Sequence, residues 1–265
     1  DVEVSIAGRT ARAEKLTGRV TIRGVPSGSY PISVMPATLP PYYTPGLTRT
    51  MSVPQGAALP PPALGGRLEI GVNNPNVYMA FGDSITRGEG DSAGVGYPGR
   101  LESKLRAHFG DGSVVNRGAD GTNSGEAAER ILRNLRGSSP AITLVMYGTN
   151  DWNEVPCQDA PPCDVVKNLR LVVEEVKASH SLPFLATIPP VNPVLAGASR
   201  NDWVSATNDA IKQLGREEGV FVVDIFDAFR RQGGDVSRFF FDHVHPNASG
   251  YEVIAEGFFQ AIAFG

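Results

Sequence analysis

The chain is poor in the residues that bind metals or charged polymers: two cysteines, four histidines and a net charge of only −4 in 265 residues. The two cysteines, Cys157 and Cys163, stand in a CxxxxxC spacing with no CxxC form and no second ligand pair, which argues against zinc. No apolar run approaches the roughly 20 residues that a membrane-spanning helix needs, and stretches such as Ala141–Tyr147 are far shorter. Clustered cations are absent as well. Residues 1–75 hold seven Lys/Arg against four Asp/Glu, with the arginines standing singly among Pro and Gly. The remainder holds 17 against 24, an acidic body unsuited to nucleic acid or to an anionic membrane. The first residues, DVEVSIAGRT, have no basic start followed by an apolar stretch, so no signal peptide is expected in them. Without an initiating Met, the chain reads as processed or excised from something longer. Its 41% hydrophobic content excludes wholesale disorder, and its length suffices for one large core or two modest ones.

Proline divides what is there. Eleven of the 21 prolines fall in residues 1–75, including Pro60-Pro61-Pro62, and no helical period survives among them. Short alternating pieces at Val2–Ile6, Val20–Ile22, Ile32–Val34, Met51–Val53 and Leu68–Val72 predict a small antiparallel β module over 1–75. From Asn76 to the end, apolar runs alternate with helix-like segments: Val77–Phe81, Val114–Asn116, Ala141–Tyr147, Pro183–Ile188 and Val220–Ile225 are the predicted strands. This alternation predicts an α/β domain over 76–265, a parallel sheet covered on both faces. The last helix is the plainest, with Tyr251, Ile254, Ala255, Phe258, Phe259 and Ile262 on one stripe. Sheets of this kind carry their chemistry beyond the carboxyl ends of the strands.

Four segments stand there. Gly82-Asp83-Ser84-Ile85-Thr86 follows the first strand, and Ser84 is either a helix cap or a nucleophile on a strand-to-helix turn. A serine nucleophile needs a base. His108 and His180 fall near predicted helix ends, whereas His243 and His245 lie in Phe241-Asp242-His243-Val244-His245-Pro246-Asn247 before the last helix. Asp242, three residues before His245, can hold one imidazole nitrogen in a tight turn while the other faces a hydroxyl. The His-x-His pair has no third and fourth metal ligand at a suitable spacing. Asn150, in Tyr147-Gly148-Thr149-Asn150-Asp151, offers a side-chain amide to an oxyanion or simply makes a turn. Gly118, in Asn116-Arg117-Gly118-Ala119-Asp120-Gly121, offers a backbone N–H or a tight turn.

GDSIT, NRGADG, GTND and DHVHPN, in this order over residues 76–265, resemble the four blocks of the SGNH, or GDSL, hydrolases. The resemblance implies a flavodoxin-like three-layer α/β/α domain and a carboxylic-ester hydrolase that needs no cofactor and no metal. It makes Ser84 the nucleophile, His245 the general acid/base and Asp242 its orienting carboxylate. It makes the N–H groups of Ser84 and Gly118 and the Asn150 amide the oxyanion hole, and leaves Asp83 a structural role. All four blocks are intact, which speaks against a glycan-binding protein on an inactivated scaffold; an acyltransferase using the same serine is a further alternative.

Around these blocks, Cys157 and Cys163 predict a local disulfide, with reduced thiols as the alternative; the disulfide implies a secreted or cell-envelope location. Trp152 is a candidate for stacking on a sugar or flanking an acyl group, or else packs in the core. Gly88–Gly96 is a candidate flexible rim, and Asn247-Ala248-Ser249 matches a glycosylation sequon placed where a helix cap is expected. The segment Gly24-Val25-Pro26-Ser27-Gly28-Ser29-Tyr30 resembles carboxypeptidase-regulatory-like or Cna-B-like β-sandwiches, whose role here is a spacer, a carbohydrate-binding module or a wall of the site. The expectation is a monomer acting on a short acyl ester of a small molecule or carbohydrate, acetyl groups on carbohydrate being one option that the β module raises, with arylesterase, lysophospholipase and thioesterase as open alternatives.

Overall fold

The computed structural model describes residues 3–12, 20–35, 43–44, 49–54, 67–68 and 70–264. They divide into two compact units, the second running from Ile70 to Ala263. In the first unit, β1 (Glu3–Ile6), β2 (Arg9–Arg12), β3 (Gly28–Val34) and β5 (Arg49–Val53) form an antiparallel sheet in the order β2-β1-β3-β5. β4 (Tyr43–Thr44) and β6 (Arg67–Leu68) pair separately. Val4, Ile6, Ile32 and Val34 alternate inward and form its small core. Two expected strands are corrected. Val20–Ile22 is irregular, although Val20 and Ile22 still pack on that core. Of Leu68–Val72, Leu68 ends β6 while Ile70 is irregular and Gly71, at φ +56°, lies in a turn. The run Pro60–Pro62 lies outside the described residues.

The second unit alternates as its apolar periods require. Its elements are β7 (Asn74–Gly82), α1 (Ser84–Arg87), α2 (Gly96–Phe109), β8 (Ser113–Gly118), α3 (Ser124–Arg136) and β9 (Pro140–Met146). They continue with α4 (Val155–Gln158), α5 (Val165–Ala178), β10 (Leu182–Ala186), α6 (Pro193–Ala196), α7 (Ala198–Glu218), β11 (Phe221–Val223), α8 (Ile225–Arg231) and α9 (Ala248–Phe264). The five strands are parallel in the order β11-β10-β9-β7-β8. In chain order that is the flavodoxin-like arrangement 2-1-3-4-5, which reverses direction between β7 and β9. Met79, Phe81, Val145 and Leu185 point to one face and pack with Ile131 of α3, Leu169 and Val172 of α5, and Val204 and Ile211 of α7. The alternate residue Tyr78 points to the other face, where α2 and α9 meet through the stacked rings of Tyr97 and Phe258, 5.3 Å apart. All seven residues of β9 are buried, as a central strand covered on both faces must be. β11 is shorter than the apolar run Val220–Ile225 suggests, because Asp224 caps α8 and ends the strand.

Candidate active site

Asp83 explains the turn that carries Ser84. Its carboxylate accepts the Ile85 N–H at 2.9 Å, capping α1, and its carbonyl accepts the Arg87 N–H. Ser84 is therefore the first residue of a helix, and its own N–H has no intrahelical acceptor. Its hydroxyl lies 2.9 Å from His245 Nε2, and His245 Nδ1 lies 2.7 Å from Asp242 Oδ2. Asp242 Oδ1 accepts the Val244 and His245 N–H groups, both at 2.8 Å, so the three-residue spacing folds into a turn around its own carboxylate. Desolvation opposes ionisation of Asp242, but the hydrogen bonds from His245 and the two amides outweigh it and hold the carboxyl below its ordinary range. Residues from after β10 brace this loop: Asn192 donates its N–H to the His243 carbonyl at 2.9 Å and its amide to the Asp242 carbonyl at 3.3 Å. His243 stays largely exposed, with Nδ1 3.8 Å from Asp242 Oδ1.

Asp83 is 2% exposed and sits among the buried phenols of Tyr97, Tyr147 and Tyr251. Burial pushes its carboxyl up to about 7. Between pH 4 and 7 the unfolded chain ionises this group while the folded protein keeps it neutral. Its contribution to stability is thus present at low pH, declines as pH rises through that window, and is flat above it. Asp83→Asn retains a capping oxygen and removes the titration. The stability difference between wild type and Asp83→Asn is expected to shift against wild type by up to about 4 kcal/mol from pH 4 to pH 8, read by urea unfolding. An identical difference at both pH values would refute the buried titration.

Asn150 follows β9 and donates one amide hydrogen to the Thr122 carbonyl at 2.9 Å, leaving the second for a ligand. The turn is bolted to the start of α3. Asp151 accepts from Ser124 N and Oγ at 3.0 and 2.5 Å, and Asn123 donates to Glu154 at 2.6 Å. Gly118 requires a correction. Its N–H donates to Asn116 Oδ1 at 2.9 Å, and a Cβ there would meet Arg87 N at 2.2 Å. This glycine serves close packing of β8 beneath α1, and its amide is already paired. Gly121, three residues on at φ +70°, has open space on its Cβ side and is adjacent to Thr122.

The segment Gly88–Gly96 is pinned, contrary to the expectation of a flexible rim. Asp91 accepts from the N–H groups of Ala93, Val95 and Gly96 and from Arg100 at 2.6 Å, and the Arg100 bond leads in holding its carboxyl down to about 2. Gly90, at φ +85°, lets this segment lie against the catalytic loop: a Cβ would meet Phe241 Cβ and Pro246 O at 2.9 Å. Trp152 is half-buried on the core, edge-on to Trp203 at 5.7 Å, with the Arg200 guanidinium 5.7 Å from its ring. Cys157 and Cys163 form a disulfide with Cα atoms 5.2 Å apart. Reduction is expected to raise the intact mass by about 2 Da and to lower stability by about 2 kcal/mol, measured by mass spectrometry and denaturant unfolding. Asn247 Oδ1 accepts from Ser249 and Gly250 N–H at the start of α9, in the capping position expected of it.

Arg130 is a residue that periodicity alone does not single out. From α3 it donates to the Gly82 carbonyl at 3.1 Å, to the Arg117 carbonyl at 2.8 Å and to the Tyr147 hydroxyl, tying together the ends of β7, β8 and β9. Its only sequence signal is a cation on the sheet-facing side of an amphipathic helix, visible once the face is known.

Among the described residues, no helix is long and apolar enough to cross a membrane. The sequence pattern of the GDSL-like Lipase/Acylhydrolase family matches residues 80–253. The chain is 29% identical over 203 residues to an isoamyl acetate-hydrolyzing esterase 1 homolog of Rattus norvegicus, covering 68% of this chain and 78% of that one. LAE5, an alpha/beta hydrolase enzyme from the metagenome of Lake Arreo, superposes with a TM-score of 0.60 at 25% identity, over 70% of this chain and 94% of that one. An acetylxylan esterase from Geobacillus stearothermophilus shares the fold, with a TM-score of 0.61 at 23% identity over 73% and 97% of the two chains. With its strand order, its hydroxyl–imidazole–carboxylate chain and a family match spanning well over half its length, the chain belongs to the GDSL-like lipase/acylhydrolase family of esterases.

Proposed function

We propose that the protein hydrolyses short acyl esters, acetyl esters of carbohydrate among them, through an acyl-enzyme on Ser84. The observation that carries this reading is the continuous hydrogen-bonded chain from the Ser84 hydroxyl through His245 to Asp242, 2.9 and 2.7 Å long at its two links. His245 Nε2 takes the Ser84 proton as Oγ attacks the ester carbonyl, and Asp242 stabilises the imidazolium formed. The oxyanion is met by the Ser84 N–H and the free hydrogen of the Asn150 amide. Because the Gly118 amide is paired, the third donor in this reading is the Gly121 N–H. The alcohol leaves with the proton held by His245. Water then gives a proton to His245 and attacks the acyl carbon, and as the acid leaves His245 returns that proton to Ser84 Oγ, restoring the hydroxyl.

Acetyl as the acyl group is supported by a relative named as a homolog of an isoamyl acetate-hydrolyzing esterase and by a structural neighbour described as an acetylxylan esterase. The disulfide supports a secreted or cell-envelope location, where oxidising conditions keep such bonds formed. The N-terminal unit, with its G-V-P-S-G-S-Y stretch, fits a sandwich-type spacer or carbohydrate-binding module in this reading.

A panel of p-nitrophenyl esters of increasing acyl length, together with acetylated xylooligosaccharides, tests the assignment. The expected result is fastest turnover of acetyl esters and covalent labelling of Ser84 by an aryl phosphonate. Absence of both turnover and label overturns it. Preferential transfer to an added alcohol would make the protein an acyltransferase instead.

A further inference from the structure

Arg200, near the start of α7, is 7% exposed and yet, among the described residues, lacks the counter-ion a buried guanidinium ordinarily has. Among the described residues, Nη2 donates to the Thr149 carbonyl at 3.1 Å and Nε is buried without a partner. Among the described residues, no carboxylate lies within salt-bridge distance of it. Burial lowers its pKa with no neighbouring charge to offset the effect. The contrast with Arg100 and Arg130 is instructive. Arg100 meets the Asp91 carboxylate at 2.6 Å, and Arg130 is shared among two carbonyls and a phenol.

The place of Arg200 suggests why an unpaired charge is retained. The carbonyl it holds belongs to the residue before Asn150, while Thr122 holds the Asn150 amide from the other side. The indole of Trp152, two residues beyond Asn150, lies against the same guanidinium. The turn that presents the amide is thus gripped by a guanidinium that, among the described residues, has no carboxylate within salt-bridge distance. A negative charge that develops at that amide gains from the cation in a poorly polarisable surrounding, and only while it exists.

We propose that Arg200 is a positioning residue for the oxyanion site: through the Thr149 carbonyl it fixes the Asn150 amide, and its unpaired charge is answered only when the oxyanion forms. The proposal rests on the ester-hydrolase reading above.

The test compares wild type, Arg200→Gln and Arg200→Lys on p-nitrophenyl acetate, with melting temperature measured for each. Arg200→Gln is expected to lower kcat by about tenfold or more, less than the ~10²–10³ of a lost oxyanion donor, with KM changed less than about twofold. Phosphonylation of Ser84 should slow in parallel, since it too forms a tetrahedral anionic centre. Arg200→Lys, which keeps the charge, should stay within about threefold of wild type. Wild-type kcat in Arg200→Gln overturns the proposal, as does an equal loss in both variants, which is the signature of packing alone. A carboxylate subsite would show instead as a raised KM for p-nitrophenyl hydrogen succinate with the butyrate ester unaffected, and that result also overturns it. If Arg200→Gln does not fold, Arg200→Lys decides: a loss of tenfold or more counts against the proposal. Failure of the ester-hydrolase reading is separately visible, because wild type itself would then neither turn over nor take the label, and this proposal would fall with it.

Discussion

Ser84→Ala is expected to lower kcat for p-nitrophenyl acetate by roughly 10⁴- to 10⁶-fold, with KM little changed and the melting temperature within a degree or two of wild type. The size follows from the number of steps lost: without Oγ there is no acyl-enzyme and no proton for His245 to take. The fold should tolerate the change because, among the described residues, the hydroxyl bonds to His245 alone. The N-cap of α1 belongs to Asp83, and the Arg87 N–H still reaches the Asp83 carbonyl. Alanine is also a good residue for the first turn of a helix. Initial rates with the variant purified free of wild type, together with thermal unfolding, check both halves. Residual activity above about 1% of wild type would contradict a serine mechanism.

Asp242→Asn is expected to cost roughly 10²- to 10⁴-fold in kcat while leaving the loop in place. Asp242 uses one oxygen for the backbone and the other for the imidazole: Oδ1 accepts two N–H groups at 2.8 Å, and Oδ2 faces His245 Nδ1 at 2.7 Å. An asparagine keeps the first pair by turning its oxygen to them, which turns its NH₂ toward Nδ1. His245 must then accept at Nδ1 and carry its proton on Nε2, the nitrogen that has to receive the Ser84 proton. Asp242→Ala should be less stable as well, because both amides lose their acceptor. Steady-state kinetics on the two variants with unfolding curves separate the effects. Equal activity of Asp242→Asn and wild type would exclude a tautomer-setting role.

Much of this arrangement is legible in the sequence because it is local. The Asp242–His245 spacing closes a turn within four residues, Asp83 caps the helix begun by its neighbour, and Asn123 and Glu126 form a capping box at the start of α3. Strand and helix periods survive as well, since each face of an element is written within that element. Gly118 illustrates the limit. A glycine in a motif has one visible property, its freedom of approach, and the acceptor two residues earlier, Asn116, takes the amide that the motif alone assigns to an oxyanion. Trp152 illustrates it differently, because its choice between substrate and core depends on Trp203 and Arg200, both about fifty residues away.

By itself, then, the sequence determined the alternation that builds a parallel sheet, the four segments that end its strands, and the order in which a hydroxyl, an amide, a carboxylate and an imidazole occur along the chain. The tertiary structure alone decided which of these groups meet. It set the 2.9 Å contact across 161 residues between Ser84 and His245, the clamp of Arg130 on three strand ends, the anchoring of Asp91 by Arg100, and the isolation of Arg200 from any described carboxylate. The physical reason is range. Periodicity and capping act over one or two turns of chain, whereas desolvation and charge pairing depend on every element packed around a group, and no short stretch of sequence carries that information.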